Sequence, residues 1–225
     1  MVRPQLRNLT RDEIVWLDEN CCKAHGHKYI SHYHCYIKEN PAPHITERVG
    51  YLDIEASNLK ADFGIAYCYC IKDGKSDKIL SRSIRPKEFK TCLDKEVVRQ
   101  CIEDMRKFDR ICTWYGSRYD IPYLRARAIY HKLDFPMPKS IWQTDLWDVC
   151  RKKLAISSNR LQNASRFILG KSDKTQIDNE YWLKALQGNQ KAMAYIIDHC
   201  KWDVLDLEKV DKQIGKYAPR CKTSI

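Results

Sequence analysis

The segment Val49-Gly50-Tyr51-Leu52-Asp53-Ile54-Glu55 has the apolar, β-branched and aromatic content of a strand, yet carries two acids. Residues i and i+2 of a strand point to the same face, so Asp53 and Glu55 are neighbours. Like charges side by side repel, and burial raises the cost. A bound divalent cation offsets both effects. A strand face turned to water also accommodates such a pair, so the pair alone leaves both readings open.

The pattern around this strand is that of a mixed α/β fold. Residues 63–71 read as a second strand, Asp73-Gly74 as a turn, and residues 78–84 as a third strand, which makes an antiparallel meander. Residues 94–108 place Val97, Val98, Cys101, Ile102, Met105 and Phe108 at helical spacing. Residues 111–115 read as a strand, 119–132 as a helix and 140–144 as a fifth strand. The rest is helical, with breaks near 157–159, 170–178 and 188–189. The order β-β-β-α-β-α-β-α predicts a mixed sheet with helices on its faces. Ahead of it, residues 9–19 read as a short helix, with Thr10 as N-cap and Glu13 closing a capping box. The run Glu39-Asn40-Pro41-Ala42-Pro43 reads as a linker, since its prolines disfavour regular structure. The expected division is a head over 1–43 and a main domain over 44–225.

Further acids belong with Asp53 and Glu55. Asp120 follows a strand and a glycine turn in Trp114-Tyr115-Gly116-Ser117-Arg118-Tyr119-Asp120-Ile121-Pro122-Tyr123-Leu124, and falls in the first turn of a helix. An acid there is also favoured by the helix dipole alone. Asp203 follows His199 by four residues, which puts both side chains on one helical face, as in an ordinary surface pair.

Taken in order, these motifs resemble the DEDD exonuclease superfamily of the ribonuclease-H-like fold, in its histidine-containing DEDDh form. Asp53-Ile54-Glu55 resembles the Asp-x-Glu of the first strand. The segment around Asp120 resembles the second motif, and His199-x-x-x-Asp203 the third. Thr144-Asp145-Leu146 and residues 159–170 resemble the connecting region. Tyr115 stands where an Asn is frequent, and Ala56-Ser57 where a Thr is common; both departures bear on substrate contact. The resemblance spans roughly residues 48–215. It implies a ribonuclease-H-like mixed five-stranded sheet flanked by helices, and a metal-dependent 3′–5′ exonuclease. Its catalytic set would be Asp53, Glu55, Asp120, His199 and Asp203.

Phosphodiester hydrolysis needs an activated water, and charge neutralisation at phosphorus and at the leaving oxygen. Two hard cations supply both, and oxygen ligands suit Mg²⁺ or Mn²⁺. The expected assignment has Asp53 bridging two ions, Glu55 and Asp203 on the nucleophile side, and Asp120 on the second ion, largely through water. His199 is the expected general base, since an unperturbed imidazole titrates at about 6.5.

The chain has 40 Lys+Arg against 29 Asp+Glu, a formal net charge of +11. That balance points to a polyanionic partner. Arg151, Lys152, Lys153, Arg160, Arg166 and Lys171 fall in a run without an acid, the expected contact to phosphates. Arg118 adds a basic edge beside Asp120, and Tyr115 and Tyr119 are candidates to stack on bases. Leu59 is a candidate wedge against the terminal base, by resemblance only. The expected partner is the 3′ end of a single strand, with DNA favoured. At 225 residues, proofreading beside a polymerase domain in the same chain is not expected. No apolar run approaches a membrane span, and no secretory h-region opens the chain, so a cytoplasmic, reducing setting is expected, a microbial or phage-infected cell included.

Eleven cysteines occur. The odd number and apolar settings such as Tyr67-Cys68-Tyr69-Cys70-Ile71 identify most as small buried hydrophobes rather than a disulfide framework. Those in Cys21-Cys22-Lys23-Ala24-His25-Gly26-His27-Lys28-Tyr29-Ile30-Ser31-His32-Tyr33-His34-Cys35 differ, because they lie among histidines. Cys22-x-x-His25 and His32-x-x-Cys35 suit a compact structural Zn²⁺ knuckle, with Cys21, His27 and His34 as alternative ligands. Surface histidines beside buried thiols give the same pattern without an ion.

Two other functions compete with the exonuclease: a catalytically silent nucleic-acid-binding module on the same fold, and a structure-specific endonuclease of the ribonuclease-H-like class. The complete set of acids argues against the first, and the His199–Asp203 spacing against the second.

Overall fold

The computed structural model describes residues 8–170, 178–218 and 223–225. At its centre is β1 (Val49–Ala56), antiparallel to β2 (Ala66–Asp73), which is antiparallel to β3 (Ile79–Ser83). On its other side β1 is parallel to β4 (Arg110–Thr113), and β4 to β5 (Trp142–Asp145). A short strand β6 (Thr223–Ser224) runs antiparallel to β5, so the sheet order among the described residues is β3-β2-β1-β4-β5-β6.

The sheet thus has six strands where the sequence pattern predicts five. Two polar residues carry no apolar alternation to read. β6 exists because Ile225 buries its side chain and donates its N–H to the Ile141 carbonyl at the sheet edge. β2 starts at Ala66 rather than Phe63, which leaves Phe63 on the β1–β2 connection, 83% exposed. β4 ends at Thr113, before Trp114 and Tyr115; Tyr115 takes the left-handed conformation with φ 67°, which stops extended pairing.

The helices of the main layer are α3 (Glu88–Thr91), α4 (Lys95–Met105), α5 (Asp120–Tyr130), α6 (Leu146–Lys153), α7 (Leu161–Leu169), α8 (Asn179–Leu186) and α9 (Gln190–Ile214), after α1 (Arg11–Glu19) and α2 (Tyr33–Glu39) in the head. α4 buries Val97, Val98, Cys101, Ile102 and Met105, the stripe its periodicity predicts. α4 and α9 cover opposite faces of β2: Tyr69 reaches Asp104 of α4, while Cys70, one residue on, reaches the Ile197 carbonyl of α9.

α9 lies across β1 and β2 on a seam of thiols. Cys68 and Cys70 pair across the ladder with Glu55 and Asp53, and Cys200 of α9 donates its Sγ–H to the Asp53 carbonyl at 3.3 Å. All three are buried. Burial pushes the Cys68 thiol up to about 11 and Cys200 well above its ordinary value, so both stay neutral and act as small packing groups.

The head contributes Leu17, Cys22, Tyr29, Cys35 and Tyr36 to an apolar cluster of its own, which Ile45 joins from just beyond residue 43. The expected capping box is present: Thr10 Oγ1 accepts from the Glu13 N–H, and Glu13 accepts from the Thr10 N–H. Glu13 also pairs with Arg48. The buried Asp109 carboxylate accepts from Asn8 Nδ2 at 3.0 Å and from the Arg48 N–H at 2.9 Å, tying the head to the start of β4.

A buried ion group fixes α5, the helix that begins with Asp120. Asp94, fully buried, accepts from Arg127 Nε and Nη2 at 2.8 and 2.6 Å, from the Ala66 N–H at 2.8 Å, and lies 2.7 Å from His131 Nε2. Burial raises the Asp94 carboxyl, but these hydrogen bonds, Arg127 first, outweigh it and hold the group below its ordinary value. Removing one partner of a buried pair leaves the other charge uncompensated. Asp94→Ala is therefore expected to lower unfolding free energy by about 3–5 kcal/mol in urea titration, whereas an exposed Asp198→Ala is expected to stay within about 0.5 kcal/mol of the parent.

Candidate metal centre and nucleic-acid interface

β4 pairs only with the amino half of β1, from Val49 to Tyr51. The carboxyl half, with Asp53 and Glu55, therefore extends past the end of β4. In α/β sheets such a crevice at the carboxyl ends of strands is where ligands bind. Two elements close on it. Residues 114–119 bring the chain back from β4 to the start of α5, where Asp120 Oδ1 accepts from the Ile54 N–H at 3.1 Å. α9 supplies His199 and Asp203 from one face: His199 Nε2 lies 3.8 Å from Asp203 Oδ2 and 3.9 Å from Glu55 Oε1. One donor atom from each of Glu55, His199 and Asp203 lies within 4.8 Å of the others. The charges of Glu55 and Asp53 both act on the Tyr119 phenol, which burial pushes up in the same direction. The fold thus brings all five sequence-predicted residues to one crevice.

Asp120, His199 and Asp203 are buried, while Asp53 and Glu55 are half-buried. Burial pushes the Asp120 carboxyl up to about 7. The charges of Asp145 and Asp203 push the same way, against the hydrogen bond from Ile54. Carboxylate oxygens grouped in this way, partly out of water, form a donor set that suits a hard divalent cation. The imidazole beside them is placed to hold or move a proton.

The loop before Asp120 is shaped by Asp145, a residue that the sequence reading assigned only to a connecting region. Its carboxylate accepts from the N–H groups of Tyr115 at 2.8 Å, Ser117 at 3.0 Å and Trp147 at 3.1 Å, and from the Ser117 hydroxyl. Gly116 is needed here because a Cβ would meet the Thr113 side chain at 2.4 Å. On the outer side of the loop, the Arg118 guanidinium stacks on Tyr115 and Trp147, at 5.7 and 4.9 Å from the ring centroids, and Arg151 covers Trp147 at 5.1 Å. Trp147 is the member of this stack that sequence reasoning missed; its only signal is its place two residues after Asp145. Leu59, 78% exposed, lies on the β1–β2 connection with Phe63, an apolar pair that appears only once β2 is seen to start at Ala66.

The basic run divides in three dimensions. Arg151, Lys152, Lys153, Arg160 and Arg166 are exposed; Lys171 lies outside the described residues. Arg118 pairs with Asp148 at 3.1 Å, and Lys152 lies 3.8 Å from the same carboxylate. Lys152 and Lys153 line a cavity of about 1260 Å³ between the head and β5, whose walls include Tyr33, Ile37, Arg110 and Trp142. Neither Asp53 nor Glu55 of β1 lines it.

In the head, the ligand atoms of Cys22, His25 and Cys35 lie within 4.8 Å of one another. The fourth residue of the sequence-predicted set, His32, is not in this group; its ring stacks on His27 at a centroid distance of 4.2 Å. His32 is the N-cap of α2, and its exposed ring turns to a neighbouring imidazole instead.

A family model described as the RNase_H superfamily matches residues 50–214, and the chain belongs to that superfamily. The chain is also similar to a DNA polymerase of Methanocaldococcus jannaschii, with 37% identity over 46 residues, 20% of this chain and 3% of that protein. Among solved structures it is similar to the family B DNA polymerase of the hyperthermophilic archaeon Pyrobaculum calidifontis. The TM-score is 0.63 at 15% identity, over 75% of this chain and 24% of the polymerase. At that identity the likeness shows the fold alone. The chain thus spans less than a quarter of the length of either relative. The fold is of the nuclease type, in a superfamily that usually uses divalent metals. No helix among the described residues is long and apolar enough to cross a membrane.

The raised Asp120 carboxyl makes a prediction about the protein without added divalent cation. Between the ordinary value of 3.8 and about 7 the folded state binds a proton that the unfolded state has released, so stability falls as pH rises through this window. Thermal melts in buffer without added Mg²⁺ or Mn²⁺ are expected to show that slope. Asp120→Asn is expected to flatten it and to raise Tm at pH 8 by roughly 2–8 °C, the equivalent of about 1–2 kcal/mol. An unchanged pH profile in the variant would contradict the assignment.

Proposed function

We propose that this chain is a metal-dependent 3′–5′ exonuclease of the DEDDh type, acting on the end of a single strand, with DNA favoured. The observation that carries the proposal is the convergence of Glu55, His199 and Asp203, with Asp120 anchored to the backbone of the strand that bears Asp53 and Glu55. Asp53, Glu55, Asp120 and Asp203 are the residues that would hold two Mg²⁺ or Mn²⁺ ions. When bound, such ions lower the pKa of a water and neutralise charge at phosphorus and at the leaving oxygen.

The chain's own groups do the rest. His199 accepts the proton of the attacking water at Nε2, the atom that faces Glu55 and Asp203. Tyr119 lies against the acids, while Leu59 and Phe63, exposed on the β1–β2 connection, offer apolar surface for a terminal base. Tyr115, Arg118, Trp147 and Arg151 form a cationic aromatic stack on which an approaching strand rests. The likeness to DNA polymerases supports DNA over RNA.

Incubation with 5′-labelled single-stranded DNA and RNA, with Mg²⁺, Mn²⁺ or chelator, tests the proposal. A descending ladder that needs metal is expected. Discrete internal cuts would indicate an endonuclease, and no cleavage with retained binding would indicate the silent module. Asp53→Ala and Asp203→Asn are expected to abolish cleavage while nucleic-acid binding survives. His199→Asn is expected to lower kcat by roughly 10²–10⁴-fold, the usual size of a general-base contribution. Metal-dependent cleavage retained in either aspartate variant would overturn the site.

A further inference from the structure

The Cys/His group of the head takes no part in the proposed chemistry, and its geometry is that of a metal site. Cys22 Sγ lies 3.7 Å and Cys35 Sγ 3.6 Å from the same nitrogen, His25 Nδ1. A single imidazole nitrogen has one lone pair and cannot accept well from two thiols at once. With Zn–S near 2.3 Å and Zn–N near 2.0–2.1 Å, the S···N edge of a tetrahedral zinc site is about 3.6 Å. Both observed separations match that edge.

The surrounding backbone is built to hold the three donors there. The Cys22 N–H donates to the His27 carbonyl at 2.8 Å, and the Gly26 N–H returns to the Cys22 carbonyl at 2.9 Å, closing a tight turn. Gly26 takes φ 68°, a conformation that favours glycine, directly after His25. Cys35 comes from α2, and the turn is fastened to that helix by Glu39. Its carboxylate accepts from the Lys23 N–H at 2.9 Å, the Ala24 N–H at 3.4 Å and the Tyr29 hydroxyl at 2.9 Å. Glu39 is thus occupied in bracing the site from outside. Both sulfurs come from buried residues, while His25 is exposed, which leaves a route for the ion. The next imidazoles are His27, with its ring 5.7 Å from that of His25, and His32, stacked on His27.

We propose that the head binds one structural Zn²⁺ through Cys22, His25 and Cys35, with the fourth position completed by an imidazole of the His27–His32 pair. Two sulfur donors with imidazole select zinc over the hard ions suited to the acidic crevice. The ion joins the turn to α2 in a segment whose apolar cluster among the described residues is small, Leu17, Cys22, Tyr29, Cys35, Tyr36 and Ile45 with partly buried neighbours such as Trp16 and Tyr33, so a metal adds a further link.

Elemental analysis of the 225-residue chain, purified under reducing conditions without chelator, tests the site apart from any nuclease activity. About one zinc per chain is expected, retained in Asp203→Asn, with Co²⁺ substitution giving the thiolate charge-transfer bands of a tetrahedral site. Cys22→Ser and Cys35→Ser are expected to lose the zinc. In chelator competition, the double variant His27→Ala/His32→Ala is expected to weaken affinity by at least the roughly 10–100-fold typical of lost supporting groups. Less than about a tenth of a zinc per chain after reconstitution, or full occupancy in Cys35→Ser, would overturn the proposal. So would a protein that binds no zinc and whose peptide map shows Cys22 joined to Cys35 in a disulfide. Unchanged affinity in the double variant would overturn the fourth ligand. Because occupancy is read on the unsubstituted chain, a variant that fails to fold leaves the test intact.

Discussion

The approach of α9 to β1 and β2 governs the candidate site. His199 and Asp203 reach Glu55 only because the helix lies close to the sheet, and it lies close because Cys68, Cys70 and Cys200 meet in the seam. A leucine or isoleucine there would hold the helix off, and the donor atoms would separate. The same closeness concentrates negative charge. The Asp120 carboxyl shows this: burial raises it first, and the charges of Asp145 and Asp203 raise it further. The fold tolerates the arrangement through ordinary stability elsewhere, such as the Asp94–Arg127–His131 group that fixes α5.

The loop from β4 to α5 solves a second problem. It must turn sharply enough to return Asp120 to the strand it left behind. Tyr115 in the left-handed region and Gly116 against Thr113 make the turn, and Asp145 holds its N–H groups from the neighbouring strand. The loop that leads into Asp120, a metal-ligand candidate, carries Tyr115 and Arg118, and Arg118 stacks on both Tyr115 and Trp147 of α6. Rigidity for the acid and a surface for a polyanion therefore come from the same few residues. The positive balance of the chain is distributed with similar economy: part of the basic run is locally neutralised by Asp148, part lines the cavity beside the head, and the remainder is open to solvent.

Much of this was legible in the chain. The acid pair at i and i+2 in an apolar strand, the Asp at a helix start and the His–Asp pair at i, i+4 each have a period that local geometry dictates. The capping box at Thr10 and Glu13, the stripe on α4 and the buried character of the thiols follow from the same kind of rule. Phe63 was misread as the start of a strand because aromatic content favours β structure, whereas its place is decided by where pairing with β1 begins.

What the sequence by itself determined is therefore most of the elements, β6 excepted, and the chemistry each carries, because strand and helix periods act over a few residues. What only the tertiary structure decided is which of those groups meet. Asp145 reaches the Tyr115 loop across thirty residues, and Cys200 meets Asp53 across 147. β6 closes an edge with two polar residues, and His25 stands between the sulfurs of Cys22 and Cys35 while His32 stacks on His27. Contacts of that kind depend on how layers pack and how loops turn. No local pattern encodes them, because the energy that selects them belongs to the assembled core.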